Sequence, residues 1–319
     1  MIKKEINNRT LGISAILGAS FIWGTLPIIL RLVDGSSSIK VFWRVCFAFI
    51  AITAWLLFSG RIKLITRVSK KALAGGLIQG VILGINWALF LGAFEHANVA
   101  TVELLGYMGP VFVTILAPFF LSDTFDKRIL VPLILAFVGM TIILNPQTLN
   151  VSSKEFIGAS MAAASAVTYA ILTIIGKKLV ARIEMDVLLW FEEMGAALVL
   201  FPLALVAYHS GNVPTSMGQY GWLALLGTVH TALAGWLFFV GLKKLPADQA
   251  SIFTYLEPAS AVILAALFLN EPLTLTSALG GILIIIGGTI VSRIDATKGV
   301  EVAPVEAGAA PENDRGSSL

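Results

Sequence analysis

Ten apolar runs, parted by short polar or charged stretches, make up most of the chain. They lie near residues 10–31, 39–59, 72–93, 99–121, 129–145, 156–176, 187–208, 219–241, 250–269 and 275–292. A helix of about 20 residues is roughly 30 Å long, the thickness of a hydrocarbon core, so each run is long enough to cross a membrane. The runs are continuously apolar and lack the in–out alternation of barrel strands; in lipid, that leaves the helix as the way to satisfy their backbone groups. The stretch Leu11–Leu30, behind Lys3, Lys4 and Arg9, exceeds the apolar region of a secretory leader and carries no clear cleavage site. It is expected to be a retained first span.

Charge placement orients the helices. With the N-terminus in the cytoplasm, 18 of the 22 Lys and Arg residues fall on inner segments, and only Arg31, Lys40 and Lys154 on outer ones; Arg44 lies within a span. Positive residues are retained on the cytoplasmic side during insertion, so both termini are expected inside, in the inner membrane of a cell. Charged residues are 13% and hydrophobic residues 57% of the chain, which excludes an ordinary soluble domain. The basic residues sit at the ends of apolar runs, so they set topology and call for no nucleic-acid partner. Cys46, the single cysteine, reads as a buried structural thiol.

The chain also repeats itself. A shift of 148 carries Tyr107 onto Tyr255, Pro110 onto Pro258, Asp123 onto Glu271 and Gly139 onto Gly287; a shift of 146 carries Gly12 onto Gly158. The expected divisions are a cytoplasmic segment 1–9, a first five-helix repeat 10–146, an outer linker 147–155, a second repeat 156–292 and a disordered cytoplasmic tail 293–319. Five crossings per copy force the second copy in from the opposite side. The predicted fold is therefore an all-α membrane protein of ten transmembrane helices in two inverted repeats. That architecture gives two near-equivalent packings, one open to each face.

Several segments carry a resemblance: Trp23–Pro27 (WGTLP), Arg44, Ala93–Phe112 (AFEHANVATVELLGYMGPVF), Gly241–Val262 (GLKKLPADQASIFTYLEPASAV) and Asn270–Pro272 (NEP). In this order and spacing they resemble the EamA group of the drug/metabolite transporter superfamily over nearly all of residues 10–292. The resemblance implies a carrier whose cavity is formed mainly by spans one, three, four, six, eight and nine, with spans five and ten peripheral. It implies export of amino acids, other metabolites or drugs, often driven by protons. Asp123 stands where the family often has Glu, and His230 where it has small residues.

An ionisable side chain at the centre of a bilayer costs at least ~2.5 kcal/mol, so each one needs a partner, a water-filled cavity or a route to the interface. By depth, Arg44 and Glu103 lie together below the outer boundary. They form either an outer ion-pair gate, or a snorkelling arginine beside a locally capped glutamate. Glu257 and His230 both fall near the midplane and are the candidates for proton coupling; the alternative is a structural hydrogen bond between spans eight and nine. Glu192 and Glu193 are ~100° apart on the seventh helix, so one faces inward; Glu192, equivalent to Arg44 under the repeat, is taken as the inner-gate candidate beside an interfacial structural reading. Pro110 and Pro258 remove amide donors in mid-span and are expected to break their helices. Trp23, Asn86, Trp87, Tyr107, Tyr169, Trp236 and Tyr255 are the candidate substrate-binding residues, suited to a solute with an apolar part and a polar end. For the two tyrosines of the repeat, helix packing with a backbone-bonded hydroxyl stays open beside the cavity reading.

No catalytic residues, metal ligands or cofactor are called for. Three histidines, His96, His209 and His230, show no ligand spacing, and nucleotide-loop context is missing around the glycines at 75, 76, 80 and 84, which read as helix-packing residues. The expected partners are a small-molecule solute, membrane lipid and protons as the coupling ion. A secondary carrier exporting a metabolite such as an amino acid leads; multidrug efflux follows, ahead of an intramembrane enzyme or a channel.

Overall fold

The computed structural model describes residues 2–97, 99–121, 126–144, 153–269 and 274–294. Asp123, the Asn270–Pro272 motif, linker residues 147–152 and tail residues 295–319 lie outside the described residues. The first repeat comprises α1 (Ile2–Gly24), α2 (Leu26–Leu30), α3 (Ser37–Phe58), α4 (Lys63–Arg67), α5 (Lys70–Ala93), α6 (Val99–Gly106), α7 (Gly109–Phe120) and α8 (Leu130–Leu144). The second comprises α9 (Ser153–Leu179), α10 (Met185–His209), α11 (Met217–Leu225), a π-helical stretch Leu226–Leu233, α12 (Ala234–Lys244), α13 (Ala247–Phe253), α14 (Leu256–Leu269) and α15 (Leu275–Arg293). Among the described residues, 8 helical runs are long and apolar enough to cross a membrane; α8 and the described part of α15 are shorter. The protein is a multi-pass membrane protein, built of helices with no strand among the described residues.

Local signals set the ends of the spans. Ser36, Ser69 and Ser216 cap α3, α5 and α11, each side chain accepting the amide three residues on. Helices α3 and α10 end alike. Each finishes in Ser-Gly with a left-handed glycine (Gly60, φ 69°; Gly211, φ 72°), and in each the amide beyond the glycine reaches back five residues, Arg61 to Leu56 and Asn212 to Ala207.

Packing repeats under exchange of the halves. α3 packs on α10 and α8 on α15, each pair joining equivalent spans; α1–α12 matches α9–α5, α1–α14 matches α9–α7, and α3 with the π stretch matches α10 with α5. Close contacts follow the same rule. A Cβ on Gly139 would meet the Gly280 carbonyl and Ile284, and one on Gly287 would meet the Pro132 carbonyl and Ala136; both partner pairs differ by the 148 residues that separate the glycines. The two five-helix units thus share one packing scheme, related by a pseudo-twofold axis. Its core runs through Ile16, Leu56, Leu188, Phe191, Leu242 and Tyr255, all under 2% exposed.

The halves depart from symmetry in two places. The first span breaks at Thr25, between α1 and α2, whereas its counterpart α9 runs unbroken for 27 residues. The eighth span widens into the π stretch, whereas its counterpart α5 is regular for 24 residues. Spans four and nine are both interrupted, at Tyr107–Met108 and Thr254–Tyr255, three residues ahead of Pro110 and four ahead of Pro258. At each break the chain tightens into a turn with a hydrogen bond to the residue three back, Met108 to Leu105 and Tyr255 to Ile252. A proline supplies no amide to the turn before it, so the interruption falls upstream of the ring.

Candidate functional site

The helices gather most of the chain's membrane-embedded charges at one place. Arg44, from α3, lies over the Trp87 ring of α5 with its guanidinium carbon 4.4 Å from the ring centroid, a cation–π geometry. The acidic groups acting on Arg44 are Glu193 of α10 and Glu257 of α14. Glu257 in turn lies within reach of Glu103 on α6 and of the Tyr107 side chain at the break of span four. Tyr169 of α9 lies within electrostatic range of both Glu257 and Tyr107. One cation and three carboxylates from four elements therefore share a site with aromatic walls. Water exclusion strengthens their mutual fields, and the excess of acid makes the site receptive to a positively charged group.

Arg44 and Glu103 do not meet. No carboxylate of the described residues lies within ion-pair distance of Arg44, and its Nε is buried without a hydrogen-bond partner. The expected direct pair is corrected to an Arg44 held by a π face and by the longer-range fields of Glu193 and Glu257. Depth along the membrane, shared by Arg44 and Glu103, does not fix their positions around the bundle.

Of the adjacent acids on α10, Glu193 is the one that faces Arg44. Glu192 turns toward Gln79 of α5, and its backbone carbonyl sits where a Cβ on Gly80 would have to be. Both are buried, at 7% and 2% exposure. Glu192 thus belongs to the α5–α10 contact, where Gly76, Gly80 and Gly84 pack against Phe191, the Glu192 backbone and Val199. The equivalent seat in the other half is Gly227, whose Cβ would lie 2.6 Å from the Arg44 carbonyl.

His230 and Glu257 do not pair either. His230, in the π stretch, shares a 2.6 Å hydrogen bond through Nε2 with Thr25 Oγ1, and its backbone carbonyl accepts from Trp23 Nε1 at 2.8 Å. Its Nδ1 is buried near the Leu225 carbonyl without meeting it in hydrogen-bond geometry. The imidazole thereby ties the break in the first span to the wide turn in the eighth. Across the pseudo-twofold, the α5–α9 contact is closed by Asn86, whose Nδ2 donates to the Ser165 carbonyl at 2.6 Å and to Thr168 Oγ1 at 2.9 Å.

The aromatic candidates divide. Trp23 and Tyr169 are equivalent at the 146 offset and both partly buried; Tyr169 packs flat against Gly109, with its hydroxyl buried beside Thr173 and Thr254. Tyr255 is fully buried and donates its hydroxyl to the Tyr107 carbonyl at 2.9 Å, meeting a carbonyl at the break of span four. It supports the site and does not line it. Trp236 belongs with Trp222, Leu225 and Leu233 to an exposed apolar stripe along span eight, at 40% exposure. Residues that the sequence assigns no site role are Gln79 and Thr25, and of the adjacent acids it favours Glu192 over Glu193. Gln79 shares its apolar run with Asn86 and is the second amide there; Thr25 carries no signal beyond the nearby Pro27. Among the described residues no group of three His, Cys, Asp or Glu has metal-binding proximity.

The pattern of the EamA-like transporter family matches residues 10–145 and again residues 156–293. A transporter of Synechocystis sp., itself named as uncharacterized, is 26% identical over 242 residues, 73% of this chain and 65% of that protein. An uncharacterized transporter of Archaeoglobus fulgidus is 27% identical over 88% of this chain and 96% of its own length. The S-adenosylmethionine uptake transporter of Rickettsia bellii is 27% identical over 216 residues, 67% of this chain and 70% of that protein. A solved crystal structure shares the fold with a TM-score of 0.72 over 89% of this chain and 96% of its own, at 17% identity. Two matches in tandem, on a molecule whose packing repeats under exchange of its halves, make this chain a member of the EamA-like transporter family.

Proposed function

We propose that this transporter is a secondary active carrier that exports a small amino-bearing metabolite, an amino acid or a close analogue, across the inner membrane by alternating access. In this reading both termini are cytoplasmic, protons are the coupling ion, and the chain performs no chemistry on its solute. The observation that carries it is the buried cluster of Arg44 with Glu103, Glu193 and Glu257 beneath Trp87 and Tyr107. A zwitterion answers both signs: its carboxylate suits the Arg44 guanidinium, and its ammonium suits the surplus acids. Trp87, Tyr107 and Tyr169 give an apolar side chain a wall.

Proton coupling rests on Glu257, the acid that reaches both Arg44 and Glu103 from the interrupted ninth span. Protonation there removes one of the charges that act on Arg44 of α3, and so would differ between the two packings. His230 then works as a structural tie between spans one and eight, and not as the proton carrier.

The acid surplus also supports a second reading, efflux of a lipophilic cation, and the Rickettsia relative adds a sulfonium-bearing amino acid to the compounds worth testing. Counterflow in proteoliposomes separates them, run with labelled amino acids, S-adenosylmethionine, nucleosides and a lipophilic cation, with and without a pH gradient. The zwitterion reading expects amino-acid exchange that Arg44→Met abolishes. Exchange of cations alone, insensitive to that change, overturns it. Solute-dependent proton flux that persists in Glu257→Gln removes the coupling role.

A further inference from the structure

At one end of the bundle, well away from the central cluster, a cavity of about 580 Å³ opens between the α4–α5 turn and the α9–α10 turn. Arg67, Lys71, Lys178 and Arg182 line it, and its floor is apolar, with Ala72, Ile175, Leu179 and Val187. The lone acid on its wall, Glu184, is already engaged by Arg61 at 3.3 Å. None of the four basic side chains has a hydrogen-bond or ion-pair partner among the described residues. Helix α5 sharpens the imbalance. Its first turn holds Lys70 and Lys71 and no acid, so two cations sit at the positive end of a 24-residue helix dipole. Like charges placed together at a helix N-terminus repel unless an anion joins them.

We propose that this cavity holds the phosphate headgroup of an anionic phospholipid, taken from the leaflet that meets this end of the bundle. The phosphate lies among Lys71, Lys178, Arg182 and the start of α5, and the first part of an acyl chain covers the floor along Ile175, Leu179 and Val187. Both features of the cavity are then met by one molecule, a cationic rim by the headgroup and an apolar floor by the chain. A free phosphate would answer the rim and leave the floor bare. The site clamps the turns that join spans two to three and six to seven, which are equivalent connections in the two halves.

Native mass spectrometry of the purified full chain, with dioleoylphosphatidylglycerol or dioleoylphosphatidylcholine added to the detergent, tests the assignment. The glycerol lipid is expected to be retained at roughly tenfold lower concentration than the choline lipid. Lys71→Gln with Arg182→Gln is expected to erase that preference, and so is the independent pair Arg67→Gln with Lys178→Gln. All four side chains are partly or fully exposed, and the thermal transition in choline lipid checks that each variant is folded; if one pair misfolds, the other decides. Lys154→Gln, at the opposite end of α9, is expected to leave the preference intact. Equal retention of the two lipids, or an unchanged preference in a folded double variant, overturns the proposal. Displacement of the lipid by millimolar glycerol 3-phosphate also overturns it, by showing that a soluble anion is the occupant.

Discussion

The contact of span one with span eight and the contact of span six with span three occupy equivalent places in the two repeats, yet they are built differently. At the second, two regular helices, α9 and α5, are closed by the Asn86 amide against Ser165 and Thr168. At the first, a helix broken at Thr25 meets a π-helical stretch, and Trp23 and Thr25 both bond to His230. A π turn carries one residue more than an α turn and has poorer hydrogen-bond geometry; such turns are often found at functional sites. Under the proposed alternating access, one surface has to change its fit while another stays rigid, and on that reading these junctions divide the roles. The acidic and basic groups follow the same division: under the 148 offset Arg44 corresponds to Glu192, but only Arg44 enters the central cluster.

The sharpest break of that comparison is a pair of changes at these two equivalent positions. Arg44→Met leaves Glu193 and Glu257 without their counter-charge, and removing one partner of a buried charge group typically destabilises by about 3–5 kcal/mol. Transport is expected to be lost, with a matching fall in the thermal transition in detergent. Glu192→Gln, facing Gln79, is expected to keep exchange within about twofold, since an amide there can still hydrogen-bond. Equal damage from the two would mean that both halves carry the site alike.

Next in size are the glycine seats. Gly80→Ala drives a methyl into the Glu192 backbone between two regular helices that have no slack, at an expected cost of about 1–3 kcal/mol. Gly227→Ala meets the Arg44 carbonyl from the π stretch, which can shed its extra residue and give way; its melting shift is expected to be less than half as large. Smaller again is Thr25→Val. It strands His230 Nε2 in a buried place at about 1–2 kcal/mol, and is expected to slow exchange by loosening the junction while leaving solute affinity unchanged in equilibrium binding. A changed affinity with an unchanged rate would put Thr25 in the solute site and end the division of roles.

The spans and the repeat were legible because they rest on one-dimensional signals: apolar length, charges at the ends, and residues that recur at a fixed offset. Even there α1 starts at Ile2 instead of residue 10, since a polar helical turn can extend beyond the hydrocarbon at no cost. The break at Thr25 and the π stretch left little trace, because both arise from how two helices fit and not from a breaker inside either run. Pro27 alone marked the first. The partners of Arg44 were misread for a geometric reason. Counting residues gives a depth in the membrane, and Arg44 and Glu103 share one; which way each side chain faces depends on helix rotation, and that is set by the glycine contacts of α5 with α10 and of the π stretch with α3. The same rotation decided between Glu192 and Glu193 and turned Trp236 outward.

The smallest effect is expected at the two tyrosines that first revealed the repeat. Tyr255 donates to the Tyr107 carbonyl, whereas the Tyr107 side chain reaches toward Glu257, so residues equivalent in sequence serve different ends. Tyr255→Phe removes one hydrogen bond at the break of span four. The ring still fills its place, and the loss is expected to be about 1 kcal/mol of stability with exchange rate and affinity unchanged. Tyr107→Phe is expected to leave the melting temperature nearly as it was and to alter solute affinity severalfold, since it takes a polar neighbour from an acid of the site. Melting curves and equilibrium binding on the two variants decide the matter together. If each change moved both quantities by the same amount, the tyrosines would be interchangeable, and the asymmetry between the halves would be confined to the Thr25–His230 junction.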